Sequence, residues 1–256
     1  MTMVEMESVF IPVPAPPAVA YRYGLFSVAT PIPDAETDWE GFGMTWVSSA
    51  CAQPRITYDA CIVDAVDPLE DDGPICAQPQ FDTFTVYARG IGSIRNRAED
   101  EASIRARLVE VEQFGVESQL WADMAAATTE VATSDGLLHG LAVVEQLLVE
   151  AYPALGVIHM NRFAAVMLGD HLSLEGGRLV TRLGTPVVAG GGYGAVAGAA
   201  PATATIYGTG PLVLRRGQAV ADTITPDREA NSATAFAHRT YAVGWDCTAV
   251  GVTVTL

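Results

Sequence analysis

The pattern of hydrophobic and polar positions predicts a long helix over residues 98–126. Acidic side chains crowd its start, where they interact favourably with the helix dipole. Ile104, Leu108, Val111 and Gly115 then recur at helical spacing. A helix of this length measures about 40 Å at about 1.5 Å per residue, so we expect it to span a whole domain.

A second helix is predicted after Ser134, which is a good N-cap residue. Its apolar side chains recur every three or four residues, and Pro153 ends it. The residues expected on its buried face are Leu137, Leu141, Val144, Leu148 and Ala151.

Strands are predicted on both sides of the two helices. Residues 81–88 alternate as in a β-strand, and residues 45–63 contain two short strand-like runs. Residues 156–193 predict a strand, a short helix, an acidic loop and a second strand. A strand pair is predicted over residues 202–217 and a long β ending over residues 236–256. Because helices and antiparallel strands are segregated along the chain, we expect an α+β fold.

Composition excludes several classes of function. Half of the 256 residues are apolar, which provides a sizeable core and excludes disorder as the main state. The formal charge of −16 argues against nucleic acid as a direct ligand, because the surface field repels phosphates. All 14 basic residues are arginine, which excludes a Schiff-base lysine, a P-loop lysine and a lysine isopeptide bond. GC-rich coding is the simplest explanation for the missing lysine.

The cysteines and the N-terminus predict an intracellular chain. The four cysteines match no paired zinc-ligand spacing, and we expect free, buried thiols in a reducing compartment. Acidic residues stand near the N-terminus where a signal peptide would carry basic ones, so export is not expected. The uncharged run between Arg182 and Arg215 contains eight glycines and three prolines, and we interpret it as strands and loops rather than a membrane span. The cysteines are Cys51, Cys61, Cys76 and Cys247.

No motif in the chain predicts a catalytic residue, a cofactor or a metal. The acidic run from Asp64 to Asp72 could hold calcium, but its spacing differs from that of a calcium loop, and a solvated loop tip is the better interpretation. The glycines at 190, 191, 192 and 194 could cradle a phosphate, but no helix start with a lysine follows, so we expect a flexible loop. The histidines are expected to be structural; they are His139, His159, His171 and His238.

Two local motifs carry a resemblance to a known family. VIHMNRFAAVML, residues 157–168, is similar to a strand and short helix of its axial domain, and LGTPVV, residues 183–188, is similar to its G-x-P-V-V turn. With the order of elements, these motifs resemble the Hong Kong 97 fold of tailed-phage major capsid proteins, which encapsulin shells share. The resemblance covers most of the chain in element order and about thirty residues in motif.

The resemblance implies a division of the chain into domains. Residues 1–24 would form an N-terminal arm, and residues 25–133 a peripheral domain with an extended loop at about 34–76 that lies across a neighbouring subunit. The helix at 98–126 would be the spine helix of that domain. Residues 134–220 would form the axial domain, and residues 221–256 would return to the peripheral domain.

The resemblance also implies a function and a set of partners. The chain would be a non-enzymatic subunit that self-assembles into hexamers and pentamers of an icosahedral head, located in the virion and assembled in the bacterial cytoplasm. Double-stranded DNA would be enclosed without sequence-specific binding, and no membrane is expected. A scaffold would be a separate protein, and a portal and a decoration protein are further expected partners. An encapsulin-like shell remains an alternative, as does an enzyme or ligand-binding domain whose site is scattered in sequence.

Four arginines near or in the long helix are candidates for ion pairs between subunits. They could equally pair with carboxylates of their own helix, at positions 99, 100, 101 and 110. The candidates are Arg95, Arg97, Arg105 and Arg107.

Overall fold

In the computed structural model, two β-sheets pack against one 31-residue helix. The structure describes residues 21–32, 43–46, 80–93, 97–128, 131–194, 202–227 and 232–256. The helices in these ranges are α1 (Arg97–Ala127), α2 (Leu137–Ala151) and α3 (Arg162–Met167). The strands are β1 (Thr30–Pro31), β2 (Met44–Thr45), β3 (Gln80–Phe81), β4 (Phe84–Ser93), β5 (Val131–Asp135), β6 (Val157–Asn161), β7 (Leu172–Glu175), β8 (Arg178–Thr181), β9 (Pro186–Gly190), β10 (Thr203–Thr209), β11 (Leu212–Arg216), β12 (Val220–Asp227), β13 (Ser232–Trp245) and β14 (Ala249–Thr255).

The strands form a five-stranded sheet, a seven-stranded sheet and one short pair. The five-stranded sheet has the order β1-β11-β13-β12, with β4 also paired to β13. The seven-stranded sheet has the order β5-β14-β10-β6-β9-β8-β7, and β2 pairs with β3. Most neighbouring strands are antiparallel, the exceptions being β1 with β11, β5 with β14, and β6 with β9. The predicted α+β class is confirmed.

Helix α1 spans both sheets and coincides with the helix predicted over residues 98–126. Its first half buries Ile104 and Leu108 against small residues of β4 and β13. Its second half buries Val116, Leu120 and Met124 in a core shared by both sheets. The prediction of Val111 on the buried face is wrong, because the buried positions follow each other at intervals of four and so turn slowly around the helix.

Helix α2 buries four of the five residues of the predicted stripe and leaves Ala151 partly exposed, and it begins later than predicted. Leu137, Leu141, Val144 and Leu148 are all buried against the seven-stranded sheet. Ser134 is not the N-cap, because it belongs to β5, whose backbone pairs in parallel with β14 as far as Asp135. Gly136, with a positive φ of 79°, makes the turn into the helix instead.

The stretch from residue 156 to residue 193 forms the predicted strand, short helix and second strand, but not the predicted acidic loop. Strand β6 leads into α3 through Asn161, whose side-chain oxygen accepts a hydrogen bond from the Ala164 amide at 2.8 Å. Strand β9, from Pro186 to Gly190, is the predicted second strand. The predicted acidic loop is wrong, because β7 and β8 form a hairpin there, closed by two glycines with positive φ.

The chain passes between the two sheets at two adjacent crossings. Strand β10 lies in the seven-stranded sheet and β11 in the five-stranded one, so the predicted strand pair over residues 202–217 is wrong. Strand β13 likewise lies in the five-stranded sheet and β14 in the seven-stranded one. Strands of both sheets therefore occur before and after residue 220. Each crossing carries the chain from a strand of one sheet to a strand of the other. The hydrophobic periodicity of a strand does not show which sheet the strand joins.

Gly210 at the first crossing leaves no space for a side chain. A Cβ there would lie 2.2 Å from the backbone oxygen of Asp246 at the second crossing. We predict that Gly210→Ala lowers the free energy of unfolding by about 1–3 kcal/mol, because the two backbones must separate. Gly169→Ala is the matched control, since a Cβ at Gly169 would meet no atom within 4 Å. Equal denaturant midpoints for the two variants would contradict this packing.

Cys247 corrects the expectation of free thiols. It lies in the second crossing, between β13 and β14, and is disulfide-bonded. Cys51, Cys61 and Cys76 lie outside the described residues. The error has a simple cause: spacing tests detect local metal motifs, whereas a disulfide joins cysteines that the fold brings together. Because Cys247 is not a free thiol, it gives no support to the predicted reducing compartment.

Other predictions concern segments that are not described or only partly described. The N-terminal arm is described only from residue 21 and the extended loop only at residues 43–46, and the acidic run from Asp64 to Asp72 lies outside the described ranges. Among the helices that the structure describes, none is long and apolar enough to cross a bilayer.

Candidate subunit interface

Glu112 anchors the middle of α1 to the five-stranded sheet. Its side chain is only 2% exposed, at a position where the stripe of α1 would ordinarily be apolar. Arg239 of β13 donates to its Oε2 at 2.7 Å, and the Tyr241 hydroxyl donates to the same oxygen at 2.5 Å. Arg216 of β11 forms an ion pair with Oε1. Burial, and then the hydrogen bond to Glu112, raises the pKa of Tyr241 above its ordinary value.

Glu117, five residues further along α1, is a second buried carboxylate with 0% exposure. The described donors to it are neutral groups from three parts of the chain. The amide of Leu25 donates at 2.9 Å, the amide of Gly192 at 3.0 Å and the side chain of Gln113 at 3.0 Å. The hydroxyl of Tyr21 is the fourth donor. Burial is the main cause of a raised pKa for Tyr21, followed by this hydrogen bond.

The glycine run contacts α1 instead of forming a flexible loop over residues 190–194. A Cβ at Gly192 would lie 2.4 Å from the backbone oxygen of Phe114, and one at Gly191 would lie 2.8 Å from the ring of Tyr21. Tyr193 is buried and stacks on Trp121 of α1 with ring centroids 5.0 Å apart. The prediction of flexibility is therefore wrong for this segment. Gly192 lets its backbone approach that of α1, and Gly191 leaves space for the Tyr21 ring, which in both cases requires the absence of a side chain.

His159 is fully buried and has a structural role, as predicted. Its Nε2 lies 2.9 Å from the hydroxyl of Thr209, which itself donates to the carbonyl of Gly210. Thr209 must therefore accept from Nε2–H, which leaves Nδ1 to accept from the Tyr193 hydroxyl at 3.0 Å. Burial lowers the pKa of His159 to about 3, so the ring is neutral. Within the described residues, no three histidine, cysteine, aspartate or glutamate side chains form a possible metal site.

The outer face of α2 lines an apolar groove of about 320 Å³. Its opposite wall is the turn between β8 and β9, where Leu183 is 80% exposed. The one carboxylate in the groove, Glu145, accepts hydrogen bonds from Thr181 at 2.6 Å and Thr185 at 2.9 Å. The apolar residues of the α2 wall are Leu138, Leu141, Ala142 and Val149.

More exposed apolar side chains lie on the seven-stranded sheet and on helix α3. Val166 is 77% exposed and Met167 63% exposed at the end of α3, and Leu174 in the β7–β8 hairpin is 60% exposed. With the groove, they place exposed apolar side chains on α2, on α3 and on the β7–β8 hairpin. Such concentrations on a protein surface mark contacts with other proteins.

The structure describes the side chains of two of the four arginines that were predicted to form ion pairs between subunits. Arg95 lies outside the described residues, and Arg97 begins α1 without a described side chain. Arg105 and Arg107 are exposed on α1, one on each side of the buried stripe. The ion pairs that the structure describes use Arg216 and Arg239 instead. The sequence did contain a signal for this ion-pair network. Glu112 stands four residues after Leu108, in a core position of the helix.

Solved structures of phage and encapsulin proteins have folds similar to this one. No protein-family model and no curated protein matches the chain. The capsid of an empty GTA particle matches with a TM-score of 0.56 and 10% identity, over 100% of this chain and 96% of that chain. Mycobacterium phage Che8 matches with a TM-score of 0.52 and 13% identity, over 96% and 98%. The holo-SrpI encapsulin from Synechococcus elongatus PCC 7942 matches with a TM-score of 0.50 and 10% identity, over 69% and 75%.

These neighbours are all Hong Kong 97-like, and the fold match is consistent across them. Identities this low carry information about fold and not about activity. The predicted fold is confirmed: this chain has the Hong Kong 97 fold.

Proposed function

We propose that the chain is a major capsid protein that self-assembles into hexamers and pentamers of an icosahedral phage head enclosing double-stranded DNA. The supporting observation is the fold match with the GTA particle capsid, which covers 100% of this chain and 96% of that one. The encapsulin match covers 69% and 75%. A match over nearly the full length of both chains favours the capsid proposal, and the encapsulin-like shell is kept as the alternative.

The distribution of apolar surface supports contacts between copies of the chain. Rings of identical subunits need heterologous contacts, in which two different patches of one subunit meet in its neighbours. The α2 groove and the projecting side chains of α3 are two such patches on one sheet. The net charge of −16 also suits a wall around DNA, since it prevents the packaged DNA from adhering to the shell.

The division into two main sheets supports a domain assignment. We assign the seven-stranded sheet with α2 and α3 to the axial domain, and the five-stranded sheet with the start of α1 to the peripheral domain. Residues 1–24 would be the arm and about 34–76 the extended loop. We expect the subunit in the virion after assembly in the bacterial cytoplasm, with a separate scaffold protein, a portal and a possible decoration protein as partners.

Electron microscopy of the expressed protein tests this proposal. The expected result is closed particles, formed by the subunit alone or with a co-expressed scaffold. Particles produced during phage infection and treated with nuclease should retain protected double-stranded DNA. Particles filled with a protein cargo instead would favour the encapsulin alternative. Only monomers or small oligomers, with a scaffold also present, would contradict both shell functions.

Arg105 and Arg107 provide a test of the predicted ion pairs between subunits. Both are exposed, and they flank the buried stripe of α1, so neither supports the core. We predict that replacing both with glutamine reduces particle yield at least tenfold and leaves the circular dichroism and melting temperature of the subunit within error. Arg178→Gln, on an exposed hairpin, is the control. Normal particle yield from the double variant would remove these two arginines from the interface.

A further inference from the structure

Glu117 joins three parts of the chain that are far apart in sequence. Its Oε1 accepts from the amide of Leu25, and its Oε2 accepts from the amide of Gly192 and from the Tyr21 hydroxyl. Gln113, one turn earlier on α1, holds Oε1 as well. One side chain of the long helix therefore binds the N-terminal residues and the end of β9 at the same time.

The residues around Tyr21 make further contacts with the seven-stranded sheet. We call Tyr21–Leu25 the anchor segment. The carbonyl of Tyr23 accepts from the Ala189 amide at 2.8 Å. Arg162 of α3 donates to the carbonyl of Arg22 at 3.2 Å, and its guanidinium lies over the ring of Tyr21 at 5.2 Å. The anchor segment is thus clamped between α1 and the sheet by bonds to its backbone.

The anchor segment packs closely against Glu117. A Cβ at Gly24 would lie 1.7 Å from the Gln113 side chain and 2.5 Å from Oε1 of Glu117, so the segment passes directly over the carboxylate. A carboxylate removed from water depends on its hydrogen bonds to offset the cost of burial. Because the described donors are neutral and come from different segments, detaching one of them leaves the charge poorly solvated. The anchor segment and the glycine run should therefore open together rather than separately.

We propose that Glu117 is a positioning residue that fixes the point at which residues 1–20 join the fold, and that assembly requires this fixed point. The second part rests on the proposed shell function, because only a chain that assembles has a use for a defined starting point of its arm. The first part is a property of the isolated subunit and is independent of that function.

Limited trypsin digestion measures the opening of the anchor segment directly. The chain has no lysine, and Arg22 is the first arginine, followed by Arg55. Cleavage after Arg22 therefore releases a peptide of defined mass, residues 1–22. Proteases need a locally unfolded backbone, and the rate follows the population of the open form when closing is fast. Wild-type subunits should be cut slowly at this bond.

Tyr21→Phe and Tyr241→Phe form a matched pair for this test. Each variant removes one hydroxyl donor from a buried carboxylate, Glu117 in the first case and Glu112 in the second. We expect Tyr21→Phe and Glu117→Gln to accelerate release of residues 1–22 about tenfold or more, and Tyr241→Phe to leave it unchanged at equal global stability. Unchanged release in both Tyr21→Phe and Glu117→Gln would overturn the positioning role.

Particle formation by the same variants tests the second part. If wild-type and Tyr241→Phe subunits form particles and Tyr21→Phe and Glu117→Gln subunits do so at least tenfold less, the fixed point is required for assembly. If the variants release the peptide faster and still assemble normally, that requirement is wrong. If even the wild-type protein forms no particles, the shell function fails, whereas the digestion result still decides the role of Glu117.

Discussion

Replacing Glu112 with leucine is expected to lower the free energy of unfolding by about 3–5 kcal/mol, because it leaves a buried cation without its partner. The side chain of Arg239 is only 12% exposed, whereas that of Arg216 is 41% exposed and can turn to water. Tyr241 would also lose the acceptor of its buried hydroxyl. Urea unfolding followed by circular dichroism measures the change.

The same substitution at Glu99 is the matched control for Glu112→Leu. Glu99 is an exposed residue in the first turn of α1, where its interaction with the helix dipole is worth about 0.3–1 kcal/mol. A triple variant that also replaces both arginines with methionine should recover most of the lost stability, because no buried charge then remains. Equal stability of Glu112→Leu and Glu99→Leu would show that the network contributes little.

The second large effect is a loss of stability below pH 6.5 that depends on His159. Burial lowers the pKa of this histidine to about 3, whereas an unfolded chain has a histidine pKa of about 6.5. Between these values the unfolded state binds one proton more than the folded state. The contribution of the neutral His159 ring to the free energy of unfolding is therefore complete above pH 6.5. It decreases by about 1.4 kcal/mol per pH unit below that value and levels off near pH 3.

Comparison with His159→Gln isolates the contribution of this histidine. Glutamine keeps hydrogen-bonding capacity toward Tyr193 and Thr209 but has no proton to gain. The carboxylates titrate in both proteins and cancel in the difference. We expect the difference in unfolding free energy between wild type and variant to be constant from pH 7 to pH 8 and to shrink steadily as the pH falls from 6 to 4. A difference independent of pH across this range would contradict the buried neutral ring.

The sequence predicted elements well where the relevant contacts are local. The helix over Arg97–Ala127, the α2 stripe and the short helix after β6 all depend on side chains within one or two turns of each other. Periodicity failed where pairing is distant. Strands β10 and β11 are consecutive and look like a hairpin, yet they belong to different sheets. Gly210 allows the chain to cross between the sheets close to the backbone of Asp246.

The candidate interface residues and the buried carboxylates of α1 were harder to predict than the fold. Arg105 and Arg107 were chosen because they are charged and close to a long helix, and they remain candidates. Glu112 and Glu117 were missed because an acidic residue in a helix usually faces solvent, and only their partners from β11, β13 and the anchor segment reveal otherwise. The disulfide of Cys247 was missed for the same reason.

By itself, the sequence determined the helices, most strands, the α+β class and the resemblance to the Hong Kong 97 fold. These follow from hydrophobic periodicity and short motifs, which act over a few residues. Only the tertiary structure decided which sheet each strand joins, which glycines the packing requires, and how two glutamates of α1 are buried. Those properties depend on atoms brought together from distant positions, such as the 129 residues that separate the bonded Tyr241 and Glu112, and no local pattern records them.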